Sequence, residues 1–539
     1  MPHNCSNCGA TCTSIPSVRP APDPEIEALL HTNFPPSEAQ ELFFRETRRM
    51  GTPRLAELET RIADAQAKLD ALLLERDSLV WNLQRCTDVL NPVRRLPSDV
   101  LCEIFAHSIT DPGNSYYFPA GMKQRSSKNT IPRQWKLGMV SLNWRHTVLT
   151  SPRMWSMIDL TFWPSFLSSG SRGSIRADLG AERLLAMHIY RSANRPLQVT
   201  LRGRIPNTIL LILISASYRW EHLCLDYRNL KAIDSPLDAL VSFRYILDER
   251  GRDETIHERL PLLRNVTSLR RLTVDKLYPV VHPGLFIIPW TQIYSVVVTE
   301  SFPDKDAIAP IKLAPKLDTV EFLTVNHSPL DLFHVASDSV HSGSLRSFSL
   351  NVKLPDTVHG PGARYSSTVT VLFDSLTLPA LERFRVAFGG ACGLAESIVR
   401  LLRRSQCHVL KRLALIGASK DDLKEILGAG ELQNMEELLI EKLENAAHLQ
   451  SVLELLAESA GLLRLRTVEI DASAVEGSIL ACQDAVIRFM ESRQMTNEGF
   501  GRLESLTLRA PAEFEISEAN VQRLEALRSL GARLYIYRL

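Results

Sequence analysis

Hydrophobic positions along the chain follow three rhythms in turn, and each predicts a different kind of element. From Leu55 the apolar residues Leu55, Leu58, Ile62, Ala65, Leu69, Leu72, Leu79, Leu83, Cys86 and Leu90 fall on alternating steps of three and four, with Arg76 the one polar break. This is a heptad seam about five repeats long, set among Glu, Arg, Asp, Lys and Gln that favour helix, and it predicts a coiled-coil helix over 54–91. One long amphipathic helix lying on a neighbouring domain is the alternative, because a single seam does not state whether it self-associates. Asn91-Pro92 stops the helix, since proline disfavours helical backbone in the residue before it. Upstream, Ser37 followed by Gln40 is a capping-box pattern that opens a separate short helix through "SEAQELFFRETRRM".

A second rhythm begins after Pro97. Val100, Leu101, Ile104, Phe105 and Ile109 lie on one side of a short helix. Pro97 suits its first turn, and Asp99 complements the positive end of its dipole. Residues 110–134 read as a loop on their Gly, Pro, Ser and Asn content. A further helix carries Leu137, Val140, Trp144 and Val148 on one face, and "SPRMWSMIDL" then turns the chain through Trp155. So much aromatic and branched surface on two short helices predicts packing onto the next domain or a docking face for another protein.

The third rhythm runs from about residue 195 to the end. A large apolar residue is followed at three and five places by two more, as in Trp220-Leu223-Leu225, Leu269-Leu272-Val274, Leu317-Val320-Phe322, Leu345-Phe348-Leu350 and Leu381-Phe384-Val386. The same spacing recurs in Leu410-Leu413-Leu415, Met435-Leu438-Ile440, Leu465-Val468-Ile470 and Leu503-Leu506-Leu508. In every case the first apolar residue is followed at once by a charged one: Glu221, Arg270, Asp318, Arg346, Glu382, Lys411, Glu436, Arg466 and Glu504. The last two apolar positions alternate as on a strand with one buried face, and helix-like segments such as "AAHLQSVLELLAESAG" stand between. A strand followed by a helix at intervals of roughly 25 to 50 residues predicts a leucine-rich-repeat solenoid over 195–539, with "ARLYIYRL" as its last strand. A single α/β domain with a parallel sheet gives similar local patterns and stays open.

Composition narrows the partners. The 62 Lys and Arg nearly cancel the 61 Asp and Glu, so no global field draws the chain to nucleic acid or an anionic membrane. The amino terminus lacks the apolar core of a secretory signal, and the greasiest run, "ILLILISASY", is too short to span a bilayer, which predicts a cytoplasmic or nuclear protein. Residues 1–50 read as a flexible Cys- and Pro-rich segment. Within it Cys5, Cys8 and Cys12, with His3 upstream, have spacing that lets thiolates share a zinc ion, but a closed site needs a fourth ligand. Zinc at this cluster and a reduced, metal-free tail are the two readings, and no other cofactor is expected. The phosphate loops, nucleotide-binding glycine turns, nucleophile elbows and zinc-protease helices that announce enzymes are absent from the sequence, and no catalytic residue is expected.

"RRLPSDVLCEIF" at 94–105 and "WKLGMVSLNWRHTVLTSPRMWSMIDL" at 135–160 closely resemble the F-box motif, with its Leu-Pro, its helix ending in Ile-Phe, its Val-Ser-x-x-Trp-Arg and its closing Met-Trp. The order of lead-in, heptad helix, F-box over 92–160 and leucine-rich repeats is similar to the large F-box families of mushroom-forming fungi. The fold class so implied is multidomain α and α/β: a heptad helix, a small all-helical F-box, and a solenoid of parallel strands alternating with helices. The resemblance also implies a non-catalytic substrate-receptor subunit of an SCF-type cullin ubiquitin ligase. By it, a Skp-type adaptor, and through it a cullin, would contact Leu96, Pro97, Val100, Leu101, Ile104, Phe105, Val140 and Trp144, with Trp155 in the F-box core and a protein substrate on the repeats. The loop at 110–134 departs from the family, whose link there is short. A scaffold that uses the repeats and a homodimer through 54–91, without ligase recruitment, is the competing expectation.

Overall fold

A computed structural model describes residues 3–4, 11–12, 24–32, 34–110, 133–162, 173–203, 205–226, 229, 233–246, 261–275, 287–299, 307–326, 339–353, 367–389, 394–443, 445–458, 462–473, 475, 482–494, 502–511 and 516–538. They fall into two compact units, Met1–Pro97 and Ser98–Leu539.

In the first unit, α1 is Pro24–Thr32 and α2 is Glu38–Leu90. The capping box at Ser37 is formed: its hydroxyl accepts from the Gln40 N–H at 3.4 Å, and the Gln40 side chain accepts from the Ser37 N–H at 3.0 Å. The helix does not stop before Arg54, so the two helices expected from 37 to 91 are one, and Pro53 lies inside it. An interior proline costs about 3 kcal/mol. Ion pairs one turn to either side, Arg49–Glu46 and Arg54–Glu57, and good helix formers beyond them carry the helix across the gap. No residue of α2 is buried. At its end the Asn91 side chain accepts from the Val93 N–H at 3.0 Å and starts a 3-10 turn, Pro92–Arg95. Two short strands pair antiparallel with His3 opposite Cys12, while Cys5 and Cys8 lie outside the described residues.

The second unit opens with α3 Ser98–Thr110, α4 Arg133–Leu137 and α5 Leu142–Thr150. Most of the expected loop between α3 and α4 lies outside the described residues. A fourteen-stranded sheet follows, every strand parallel to its neighbours and in chain order. Its strands are β1 Met157–Phe162, β2 Leu197–Gly203, β3 Trp220–Asp226, β4 Ser242–Ile246, β5 Arg271–Val274, β6 Ser295–Val298 and β7 Thr319–Asn326. The rest are β8 Ser347–Lys353, β9 Arg383–Ala387, β10 Arg412–Ile416, β11 Glu437–Glu441, β12 Thr467–Asp471, β13 Ser505–Ala510 and β14 Arg533–Arg538. Between them run α6 Gly173–Arg191, α7 Asn207–Ile214, α8 Ala309–Leu313, α9 Ser367–Ser375, α10 Leu394–Ser405, α11 Lys420–Leu427, α12 Ala446–Glu458, α13 Gln483–Gln494 and α14 Glu518–Ser529. The unit is thus mixed α/β with one long parallel sheet, an arrangement compatible with a solenoid, since each strand pairs with the next one along the chain.

Each apolar triplet read from the sequence lies on a strand. Its first residue is buried two places before the strand, or at the strand's start in the case of Trp220, and the two that follow are buried on the helix-packed face, as with Leu381, Phe384 and Val386 at 0–1% exposure. Equivalent residues stand side by side: Phe348 pairs with Phe384, Phe384 with Leu413, Leu413 with Leu438. The charged follower is the entry rung of the ladder. The Glu382 carbonyl accepts from the N–H groups of Lys411 and Arg412, and the Lys411 carbonyl accepts from those of Glu436 and Glu437. From Asp318 through Arg346, Glu382, Lys411, Glu436, Arg466 and Glu504 this column alternates in sign, and Arg346 lies 3.7 Å from both Asp318 and Glu382. A one-repeat slip would set like charges against each other, so the column favours the native register.

Arginines stitch successive helices. Arg404 of α10 donates to the Phe373 and Leu376 carbonyls at the end of α9, and buried Arg493 of α13 donates to Leu456 of α12 and to Leu462. Each supplies a cation and donors where a helix end leaves carbonyls unpaired.

Candidate functional site

The helices around Trp155 were the first candidate surface, and periodicity fixes what each shows. On α3, Leu101, Phe105 and Ile109 recur every fourth residue and are buried. Val100 and Ile104 lie on the next stripe and are 40% and 48% exposed. Leu101 and Phe105, expected among the adaptor contacts, are buried at 1% exposure each. The Phe105 ring packs on half-buried Trp144 of α5 with centroids 4.7 Å apart. Ser141 caps α5 by accepting from the Trp144 N–H at 3.2 Å, and the Arg145 guanidinium donates to the Gly138 carbonyl at 2.9 Å. That turn leaves Val140 61% exposed, with Met139 and Leu142 exposed beside it in sequence. An ion pair of 2.6 Å between Arg153 and Glu103 ties the turn after α5 to α3. Leu96 is half-buried and Pro97 exposed within the first unit.

Trp155 is fully buried and its indole N–H donates to the Val148 carbonyl at 2.8 Å. Trp135 and His188 meet it edge-on, at 5.5 and 4.8 Å between centroids, and the Arg191 guanidinium stands 4.7 Å from its ring centre. Burial, helped by the Arg191 charge, lowers the His188 pKa to about 4, so the imidazole is neutral at physiological pH. Trp155 also holds the first position of an apolar triplet, because Ile158 and Leu160 of β1 pair with Val199 and Leu201 of β2. The sheet thus begins at Met157, within the 92–160 segment and ahead of residue 195 where it was expected. Trp155 stands between Trp135 of α4 and His188 of α6, touching both rings.

No protein-family model matches the chain, and no curated protein matches it. Its own residues carry the functional reading. Among the described residues no group of three or more His, Cys, Asp or Glu could hold a metal, and no helix is long and apolar enough to cross a membrane. Burial pushes the thiols of Cys224 and Cys407 up to about 11, which keeps them protonated and poor nucleophiles. Alternate residues of the strands point away from the helix-packed core, and these form the second candidate surface. It changes character along the sheet: arginines on β9 and β10, then Glu437, Glu441, Glu469 and Asp471 on β11 and β12. Sequence reading missed this banding, because only the register of paired strands sets those residues side by side.

Proposed function

We propose that the chain is the substrate-receptor subunit of an SCF-type cullin ubiquitin ligase, docking a Skp-type adaptor through an F-box over 92–160 and a protein substrate through leucine-rich repeats. The observation that carries this reading is the exposure of Val100 and Ile104 within a helix whose other apolar stripe is buried. Branched apolar residues left to solvent in the matching motif positions are what a helix-docking partner covers. Val140, Met139 and Leu142 add apolar surface of the same kind, and Leu96 and Pro97 complete the motif in sequence. The receptor needs no catalytic group: it acts by holding cargo near the charged ubiquitin carrier, a gain in effective concentration. The reading is tested by mixing the full chain with a purified Skp-type adaptor and following co-migration on size exclusion. A stable complex is expected; two separate peaks at tens of micromolar contradict it.

A second association is favoured by α2. A helix of 53 residues that buries none of them gains nothing from tertiary packing, while its seam stays exposed. We propose that this helix pairs with a second copy of the chain as a coiled coil, a property shared by the ligase and scaffold readings.

A further inference from the structure

The sheet face that points away from the helices holds a hollow of about 500 Å³ between β7 and β11, within the size range of ligand pockets. Its floor is short or apolar: Ser347 and Ser349 of β8, then Ala387, Ala414, Ile416 and Leu439. Arg383 and Arg412 stand side by side in register, with Ser347 on the other flank of Arg383. Arg412 lines the hollow and pairs with Glu437 of the next strand, Nε to Oε2 3.5 Å, and Arg385 reaches over Ala414 to Glu441 at 3.6 Å. Arg383 has no carboxylate within ion-pair distance among the described residues, and the hydroxyls of Ser347 and Ser349 have no hydrogen-bond partner there. Arg383, next to Arg412 on the paired strand and beside two serine hydroxyls, leaves donors that an anion can take up.

Lys442, at the rim, adds an independent sign. It follows the last residue of β11 with φ +59°, and Gly417 stands at the equivalent place after β10 with φ +63°. The turn asks for the left-handed region, which glycine enters freely, yet a lysine is kept there at a cost in strain. Strain held at a rim cation points to use of its charge. A long polyanion does not fit, because Glu441, Glu469 and Asp471 lie on the next two strands. The charge pattern suits an extended peptide carrying one anionic group, with Glu321 on the far wall against a second.

We infer that this hollow is a recognition site for a peptide segment with a single anionic side chain, carboxylate or phosphoryl, held between Arg383 and Arg412 and steered by Lys442. This rests on the substrate-receptor reading and names the substrate class. The test offers the full-length protein arrays of nonapeptides with randomised flanks and a central phosphoserine, glutamate or serine. Signal at least about tenfold above serine is expected for an anionic centre, in line with a charge-assisted hydrogen bond, and preference for phosphoserine over glutamate identifies a phosphorylated segment. Arg383→Ala with Arg412→Ala should reduce the signal to the serine level with the melting temperature kept. Lys442→Gly should weaken it several-fold while the melting temperature holds or rises. Equal signal for all three centres, no signal at all, or an anionic preference that survives the double variant overturns the site. Adaptor binding measured on the same preparations separates the failures: adaptor bound without peptide preference removes this inference alone, and peptide preference without adaptor binding removes the ligase reading alone.

Discussion

His188 illustrates how one side chain outside any motif sets a property of the fold. Its pKa falls from the ordinary 6.5 to about 4 because burial beside Trp155 disfavours the imidazolium and Arg191 repels it. Between those values the unfolded chain binds more protons than the folded one. Stability is therefore fully present above pH 6.5 and is lost as pH falls towards 4. Chemical denaturation at pH 7.5 and pH 5 should show wild type losing about 2 kcal/mol more than His188→Gln, which cannot titrate; equal losses would dismiss the assignment. Nothing in the sequence marks His188, since its place on α6 opposite Trp155 comes from packing. Val100, Leu101, Ile104 and Phe105 show a related limit. The sequence puts all four on one side of a helix, and only Trp144 against Phe105 decides which stripe turns inward.

At the level of elements the chain is more readable. The capping box at Ser37, the stop at Asn91, every charged-follower triplet and the final strand are all formed as the periodicity suggests. Four strands escaped notice: β2, whose Leu197, Val199 and Leu201 have no large apolar residue three places ahead of Val199, and three others for one shared reason. Trp155-Ile158-Leu160, Leu240-Phe243-Tyr245 and Ile293-Val296-Val298 have the apolar spacing, but Ser156, Val241 and Tyr294 stand where a charge was required. The ladder needs the backbone of that follower, not its charge. Helix α2 carries the clearest prediction at this scale. Leu69 and Leu72 lie on the seam, while Arg76 sits on it as a polar break of the sort that specifies register and a low oligomer number. Sedimentation equilibrium of the full chain at low micromolar concentration should give a dimer, and Leu69→Asp with Leu72→Asp should give a monomer. A wild-type monomer throughout would mean that α2 has some other partner.

Across the whole molecule charge is nearly balanced, at a formal +1, yet it is sorted locally. Signs alternate down the column that starts with Asp318, where they support register, and segregate into bands on the open sheet face, where they can select a partner. The first pattern is legible in sequence because each charge sits beside its apolar anchor. The second is not, because Glu321, Arg383 and Glu441 become neighbours only through paired strands. Exposed apolar residues of α3 and exposed charged residues of the sheet are the two surfaces that the substrate-receptor account assigns to adaptor and cargo. The adaptor half is the central claim, and Val100 and Ile104 are exposed enough to be changed with little effect on folding. Calorimetric titration of a purified Skp-type adaptor into the full chain and into its Val100→Asp, Ile104→Asp variant is the direct measurement. The account predicts saturable binding by wild type and at least about a hundredfold loss, roughly 3 kcal/mol, in the variant with an unchanged melting temperature. Equal affinity for the two proteins, or no binding by wild type, would contradict it.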